Sequence, residues 1–135
     1  MLTARDIMNP WVVTTTKETP VSEAIEIMLE HQISGLPVVD DEQKLIGVIT
    51  EKDILPLYKK STKVQKIKVE DMMTVPVVSF NQDETFDDIC ACLVKNDFRR
   101  VPVTSSGEIV GIVSRPDITK LILRKIIKNS TVKVS

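Results

Sequence analysis

Short β-branched runs and apolar stripes of helical period alternate along this chain, and the whole succession occurs twice. Val12-Val13-Thr14-Thr15 predicts a strand, and Thr19-Pro20 predicts a helix start, with Pro20 at the first helical position and Glu23 in the first turn. Val21, Ala24, Ile25, Met28, Leu29 and Gln32 then fall at i, i+3, i+4, i+7, i+8 and i+11, which is one apolar stripe on a helix. Gly35-Leu36-Pro37-Val38-Val39 predicts a second strand, Asp40 to Lys44 a polar hairpin loop, and Leu45-Ile46-Gly47-Val48-Ile49-Thr50 its partner strand. A helix resumes at Asp53-Ile54-Leu55, kept short by Pro56.

The second succession matches the first residue by residue. Asp6-Ile7-Met8 recurs as Asp71-Met72-Met73, Val12-Val13-Thr14 as Val77-Val78-Ser79, and Leu36-Pro37-Val38 as Val101-Pro102-Val103, all offset by 65. Gly47-Val48-Ile49-Thr50 and Asp53-Ile54 recur as Gly111-Ile112-Val113-Ser114 and Asp117-Ile118, offset by 64, so one residue is lost in the intervening turn, Thr104 to Glu108. Phe86, Ile89, Cys90, Leu93 and Val94 repeat the first helical stripe, and Ile118, Leu121, Ile122 and Ile126 carry the last one. The boundaries this predicts are a first repeat over 1–60, a linker over 61–68 within a Lys-, Ser- and Thr-rich stretch, and a second repeat over 69–135, fraying from Asn129 onward.

Composition narrows the chemistry. Eighteen basic and nineteen acidic residues leave a net charge of −1, which disfavours a broad surface for nucleic acid or anionic membrane. No run approaches the roughly 20 apolar residues of a membrane span, and the first residues lack the layout of a secretory signal, so a cytoplasmic protein is expected. Cys90 and Cys92 stand two apart on a predicted helix, about 200° apart around its axis, which argues against a disulfide and leaves too few soft donors for a zinc site. His31 is the only histidine and has no predicted nucleophile beside it, and four glycines form no phosphate-binding loop. Asp40-Asp41 and Asp87-Asp88 read as a solvated turn and a first-turn dipole partner. No enzyme is predicted.

The order strand, helix, strand, hairpin, strand, helix, with an Asp-x-Met ahead of each copy and Gly-x-x-[Ser/Thr]-x-x-Asp closing it, resembles the cystathionine-β-synthase-type (CBS) domain family over nearly the whole chain. The closing signatures are Gly47-Val48-Ile49-Thr50-Glu51-Lys52-Asp53 and Gly111-Ile112-Val113-Ser114-Arg115-Pro116-Asp117. The resemblance implies an α+β fold: two repeats, each a small three-stranded sheet with two helices, packed about a pseudo-twofold axis with two clefts at the seam. It implies a homodimer associating through helices, and an adenine nucleotide (AMP, ADP or ATP) or another adenosyl ligand such as S-adenosylmethionine in the clefts. By the family's pattern the clefts are built crosswise. Ile112, Ser114 and Asp117 would share one with Val13, Ile33, Ser34, Gly35 and Pro37; Val48, Thr50 and Asp53 would share the other with Val78, Phe98, Arg99, Arg100 and Pro102.

Residue chemistry gives each of these positions two readings. Asp53 and Asp117, where a strand yields to a helix, suit the ribose hydroxyls as charge-assisted acceptors, and equally suit helix capping with Thr50 or Ser114 as N-cap. Ile33 and Phe98 are walls for an adenine ring or plain core. Arg99 and Arg115, ahead of Lys52, are the expected phosphate ligands or else solvated cations. Ser34-Gly35 stands where the second repeat has Arg99-Arg100, and Lys52 where it has Pro116, so the two clefts are expected to be unequal. The function expected is that of a regulatory protein that senses an adenosyl ligand and signals to a protein target in trans. The competing expectation is a ligand-free dimerisation module, and a redox sensor through Cys90 and Cys92 stands behind both.

Overall fold

The computed structural model describes residues 1–59 and 64–134. The first succession is α1 (Ala4–Ile7), β1 (Thr15–Thr16), α2 (Val21–His31), β2 (Gly35–Val39), β3 (Leu45–Thr50) and α3 (Glu51–Ile54). A 3-10 helix over Leu55–Lys59 follows, which is how Pro56 ends α3. The second is α4 (Val69–Met72), β4 (Phe80–Asn81), α5 (Phe86–Lys95), β5 (Arg100–Ser105), β6 (Glu108–Ser114) and α6 (Arg115–Val134). The strands form two three-stranded sheets, ordered β1-β2-β3 and β4-β5-β6, so the α+β class and the two small sheets with helices are as expected.

Both opening strands are shorter and later than the β-branched runs predict. β1 pairs in parallel with β2 only as Thr15 with Val38 and Thr16 with Val39, and β4 pairs with β5 as Phe80 with Val103 and Asn81 with Thr104. Both ladders begin one residue after a buried proline, Pro37 or Pro102. Extending either ladder backward by one residue would set Thr14 beside Pro37, or Ser79 beside Pro102, which has no N–H to give, so the predicted strand is cut to its end.

The chain divides into two compact units that cross the repeat boundaries. One comprises Met1–Val12, Ser79–Ser106 and Val110–Ser135; the other comprises Val13–Val78 and Gly107–Ile109. In the second of these, Val21, Ala24 and Met28 of α2 bury against Leu36 and Val38 of β2, Ile49 of β3 and Val69 of α4. In the first, Ala4 of α1 joins Phe80, Ile89, Val101, Val103, Val113 and Ile118. Ala4 and Val69 are equivalent positions, and each completes the core built from the other repeat's sheet. The straps that carry them are held alike: Ala4 and Arg5 donate their N–H to Glu84 and Gln82 carbonyls at 2.9 Å, while Val69 and Glu70 donate to Thr19 and Lys17 at 2.9 and 3.0 Å.

Each strap begins with a short helix that its aspartate caps. The Asp6 carboxylate accepts the Thr3 N–H at 2.8 Å and its hydroxyl at 3.1 Å, and Asp71 accepts the Lys68 N–H at 2.9 Å. The bonds from the Thr3 backbone and side chain hold the Asp6 carboxyl below its usual range. Its contribution is therefore present above the ordinary carboxylate pKa and is lost as pH falls through the depressed value.

Other elements depart from expectation for local reasons. Pro20 precedes α2 rather than opening it, because it bridges to Lys68 while Val21 donates its N–H to the Ile67 carbonyl at 2.8 Å. That tie, and a 3-10 helix over Val64–Lys66, give structure to the later part of the expected linker, of which residues 61–63 lie outside the described residues. The β5–β6 turn is only Ser106-Gly107, both at positive φ (51° and 83°) as a tight type I′ hairpin requires. The fraying expected from Asn129 is corrected: α6 continues to Val134. Residues 118–134 contain neither Pro nor Gly, and each residue added to a nucleated helix adds a hydrogen bond.

Thr85 caps α5 by accepting the Asp88 N–H at 3.1 Å. Thr85→Ala is expected to cost about 1 kcal/mol, seen as a lower urea midpoint at unchanged slope.

Candidate functional site

The two signatures fold into the same local device. Each has a hydroxyl residue at the end of a strand and an aspartate three residues on, in the first turn of the next helix. In the unit built on β1–β3, Thr50 ends β3 and its side chain accepts the Asp53 N–H at 3.4 Å. Asp53 Oδ2 returns the bond, accepting the Thr50 N–H at 2.9 Å and its hydroxyl at 3.1 Å. In the unit built on β4–β6, Ser114 ends β6 and takes the Asp117 N–H at 3.4 Å, while its hydroxyl donates to Asp117 Oδ2 at 2.7 Å. The capping role weighed for both pairs is therefore real, and it uses one carboxylate oxygen of each aspartate.

The other oxygen separates them. Asp53 Oδ1 accepts the Thr74 hydroxyl at 2.9 Å. No donor among the described residues reaches Asp117 Oδ1. Asp117 is half-buried, and this oxygen is left without a donor at an otherwise ordered helix start.

The remaining expected residues divide between the units. Val13, Ile33, Ser34, Gly35, Pro37, Val48, Thr50, Lys52, Asp53 and Val78 belong to one; Phe98, Arg99, Arg100, Pro102, Ile112, Ser114, Arg115 and Asp117 belong to the other. Val13 and Ile33 pack partly buried on the core of Val21, Leu36 and Ile49, and Phe98 on that of Phe80, Ile89 and Val113, each keeping some exposed surface. Pro37 and Pro102 are buried in β2 and β5. The Ser34 carbonyl is taken by the Glu51 N–H at 2.9 Å, and a methyl group on Gly35 would stand 3.3 Å from both the Ile49 carbonyl oxygen and Thr50 Cγ2. Val48 and Ile112 hold their straps by paired backbone bonds to Thr74 and Asn9. Lys52 and Val78 are exposed.

The cations do not share one role. The Arg115 guanidinium closes the C-terminal end of α5: Nη2 donates to the Asn96 carbonyl at 3.0 Å and the Leu93 carbonyl at 3.5 Å, and meets the Asp97 carboxylate at 3.2 Å. Cations suit that end of a helix. Arg115 is thereby committed, whereas Arg99 and Arg100 are exposed, with the Arg99 carbonyl accepting the Arg115 N–H at 3.0 Å. Thr74, Asn9 and Asn96 did not figure among the sequence candidates; the 65-residue offset that pairs Asn9 with Thr74 was the available signal for two of them.

Other chemistry is less well served. His31 is exposed at the end of α2, and no group of three metal-ligating side chains occurs among the described residues. Cys90 and Cys92 are free thiols, and burial together with the Asp87 carboxylate pushes the Cys90 thiol up, away from the reactive thiolate. A concavity of about 380 Å³ bounded by Leu2, Phe86 and Leu121, and another beside Lys52, Leu55 and Tyr58, contain neither signature aspartate. No helix among the described residues is long and apolar enough to cross a membrane.

Comparison with known proteins gives this device a context. The sequence profile of the CBS domain matches residues 4–60 and 69–124. Over 118 residues the chain is 35% identical to MJ1225, an uncharacterized protein of Methanocaldococcus jannaschii, covering 87% of this chain and 42% of that protein. It spans only 21–23% of three further curated relatives. The structure of CBSX2 from Arabidopsis thaliana in complex with AMP matches with a TM-score of 0.80 at 30% identity, covering 92% of this chain and 98% of that one. The CBS domain pair of MJ0100 in complex with 5′-methylthioadenosine and S-adenosyl-L-methionine matches with a TM-score of 0.77 at 31% identity and the same coverages.

Proposed function

The chain belongs to the CBS domain family, and from that premise we propose that it is a non-catalytic regulatory module that binds an adenosyl ligand, with the ribose hydroxyls held by Asp117. The observation that carries this reading is the open Oδ1 of Asp117, beside an Oδ2 fixed by Ser114 at 2.7 Å. An ionised carboxylate so oriented accepts a sugar hydroxyl without reorganising, and such charge-assisted bonds contribute about 1.5–3 kcal/mol each. That CBSX2 binds AMP, and MJ0100 5′-methylthioadenosine and S-adenosylmethionine, supports the same ligand class here.

In this proposal Ile112 and Ser114, of the same unit, act with Asp117. Arg99 is the phosphate ligand of choice, since Arg115 is engaged with α5. Ligand binding then favours one arrangement of the chain, and a protein target in trans responds in proportion to that preference. The protein acts as a cytoplasmic homodimer, AMP, ADP, ATP and S-adenosylmethionine being the ligands to try first.

A ligand-free dimerisation module is the second reading, favoured by the exposure of Ile122, Leu123, Ile126 and Ile127 along α6, each 42–56% accessible. Thermal unfolding with each ligand separates the two. A true ligand at a hundred times its Kd stabilises by about 2.7 kcal/mol and raises the midpoint by several degrees. No shift with any of the four, alongside a concentration-dependent midpoint, would leave the dimerisation module standing.

A further inference from the structure

We infer that Thr74 closes the first signature aspartate to ligand, leaving Asp117 as the single ribose-binding carboxylate of the chain; this rests on the adenosyl-binding reading above. Asn9 is the residue that leaves Asp117 open.

The two positions are the same place in the fold. Asn9 and Thr74 are 65 residues apart, and the strand residues they pair with, Val48 and Ile112, are 64 apart, as are Asp53 and Asp117. The backbone bonds agree: Thr74 N–H to Val48 carbonyl is 2.8 Å with its return at 3.1 Å, and Asn9 N–H to Ile112 carbonyl is 2.8 Å with its return at 2.9 Å. Only the side chains differ. The Thr74 hydroxyl reaches across to Asp53 Oδ1 at 2.9 Å. The Asn9 side chain turns back along its own segment, where its Oδ1 accepts the Trp11 N–H at 3.0 Å.

Asp53 thus receives three donors from within its own unit, two of them on Oδ2, whereas Asp117 receives one side-chain hydroxyl and no donor on Oδ1. A ribose hydroxyl arriving at Asp53 would displace a threonine hydroxyl of the same chemistry. One O–H···O⁻ bond would replace another, with no net gain, and the incoming group would bear the entropy of association that the tethered Thr74 does not. At Asp117 the same hydroxyl would make a new bond. A difference of one such bond corresponds to roughly tenfold or more in affinity.

Calorimetric titration of the full chain with AMP, and separately with S-adenosylmethionine, tests this in both directions. The unmodified chain is expected to bind one ligand. Thr74→Val, which removes the hydroxyl at nearly constant volume, is expected to add a second binding event, and Thr74→Ser to keep one. Asn9→Thr, which copies the latch beside Asp117, is expected to weaken the original event about tenfold. Two equal sites in the unmodified chain, or a Thr74→Val chain that still binds only one, overturns the inference. A second measurement needs no ligand: Thr74→Val and Asp53→Ala, alone and together, in urea unfolding. A double variant no less stable than the worse single one supports the latch; strictly additive losses overturn it. Absence of any binding to the unmodified chain would count against the adenosyl reading, and the unfolding cycle would then decide the latch alone.

Discussion

Asp117→Ala is expected to weaken AMP binding ten- to a hundredfold while moving the unfolding midpoint little. The affinity loss follows from removing the acceptor for the ribose hydroxyls, at about 1.5–3 kcal/mol for a charge-assisted bond. The small stability loss follows from what Asp117 does for its own unit. It takes one hydroxyl, from a half-buried Ser114 that water can serve instead, and it adds a negative charge to the first turn of the 20-residue α6. A first-turn charge is worth about 0.3–1 kcal/mol at an exposed helix end. Asp53→Ala is the matched control, and the order of effects should invert. Asp53 holds the Thr50 N–H, the Thr50 hydroxyl and the Thr74 hydroxyl, so its loss should lower the midpoint more and the affinity less. Calorimetry and urea unfolding on the two variants read both quantities. Equal affinity for Asp117→Ala and the unmodified chain would remove the ribose role from this residue.

Much of this arrangement is visible in the sequence, because duplication turns weak signals into a register. The stripe through Val21, Ala24 and Met28 is buried as its period predicts, and so is Ile89 of the second copy. Leu29 and Val94, at the ends of those stripes, are 74% and 87% exposed. A helix of 10 or 11 residues lying on a three-stranded sheet has no partner for its last apolar position. No stripe in the sequence includes Ala4 or Val69, which sit in helices of four residues, and periodicity in any case says only that a residue is covered and never by which sheet. The exchange of straps between the repeats is invisible to it for that reason. The same holds at the signatures. That Thr50 and Ser114 cap their helices is a local matter and legible at three residues' distance. That Thr74 reaches Asp53 is a contact over 21 residues, and that Arg115 turns to α5 instead of outward is one over 19 and 22. Such contacts follow from the packed chain, not from spacing.

The glycines that open the signatures are the clearest case of a motif explained by packing, and Gly111→Ala is expected to cost about 1–3 kcal/mol, the range for a methyl forced into a filled site. Gly111 is buried in β6, and the Asn9–Ile112 pairing lays the strap across it. A methyl group there would overlap the Met8 sulfur and come within 2.7 Å of Met8 Cγ and 3.0 Å of Met8 Cβ. The sulfur end could swing aside; Met8 Cβ cannot move without the backbone that holds Asn9 to Ile112. This is why an Asp-x-Met and a Gly-x-x-[Ser/Thr]-x-x-Asp occur together: the aspartate caps the strap's helix, and the methionine lies where the signature glycine has no side chain. Gly47 repeats the arrangement more loosely, with Met73 sulfur at 3.0 Å, Val75 Cγ1 at 3.1 Å and the Thr74 carbonyl at 3.2 Å. Gly47→Ala should therefore cost less than Gly111→Ala. Met8→Ala should lose stability on its own by emptying the space, and should recover part of the Gly111→Ala loss when the two are combined. Urea unfolding of the four variants gives the ordering, and a Gly111→Ala chain as stable as the unmodified one would show that the strap does not lie closed over β6.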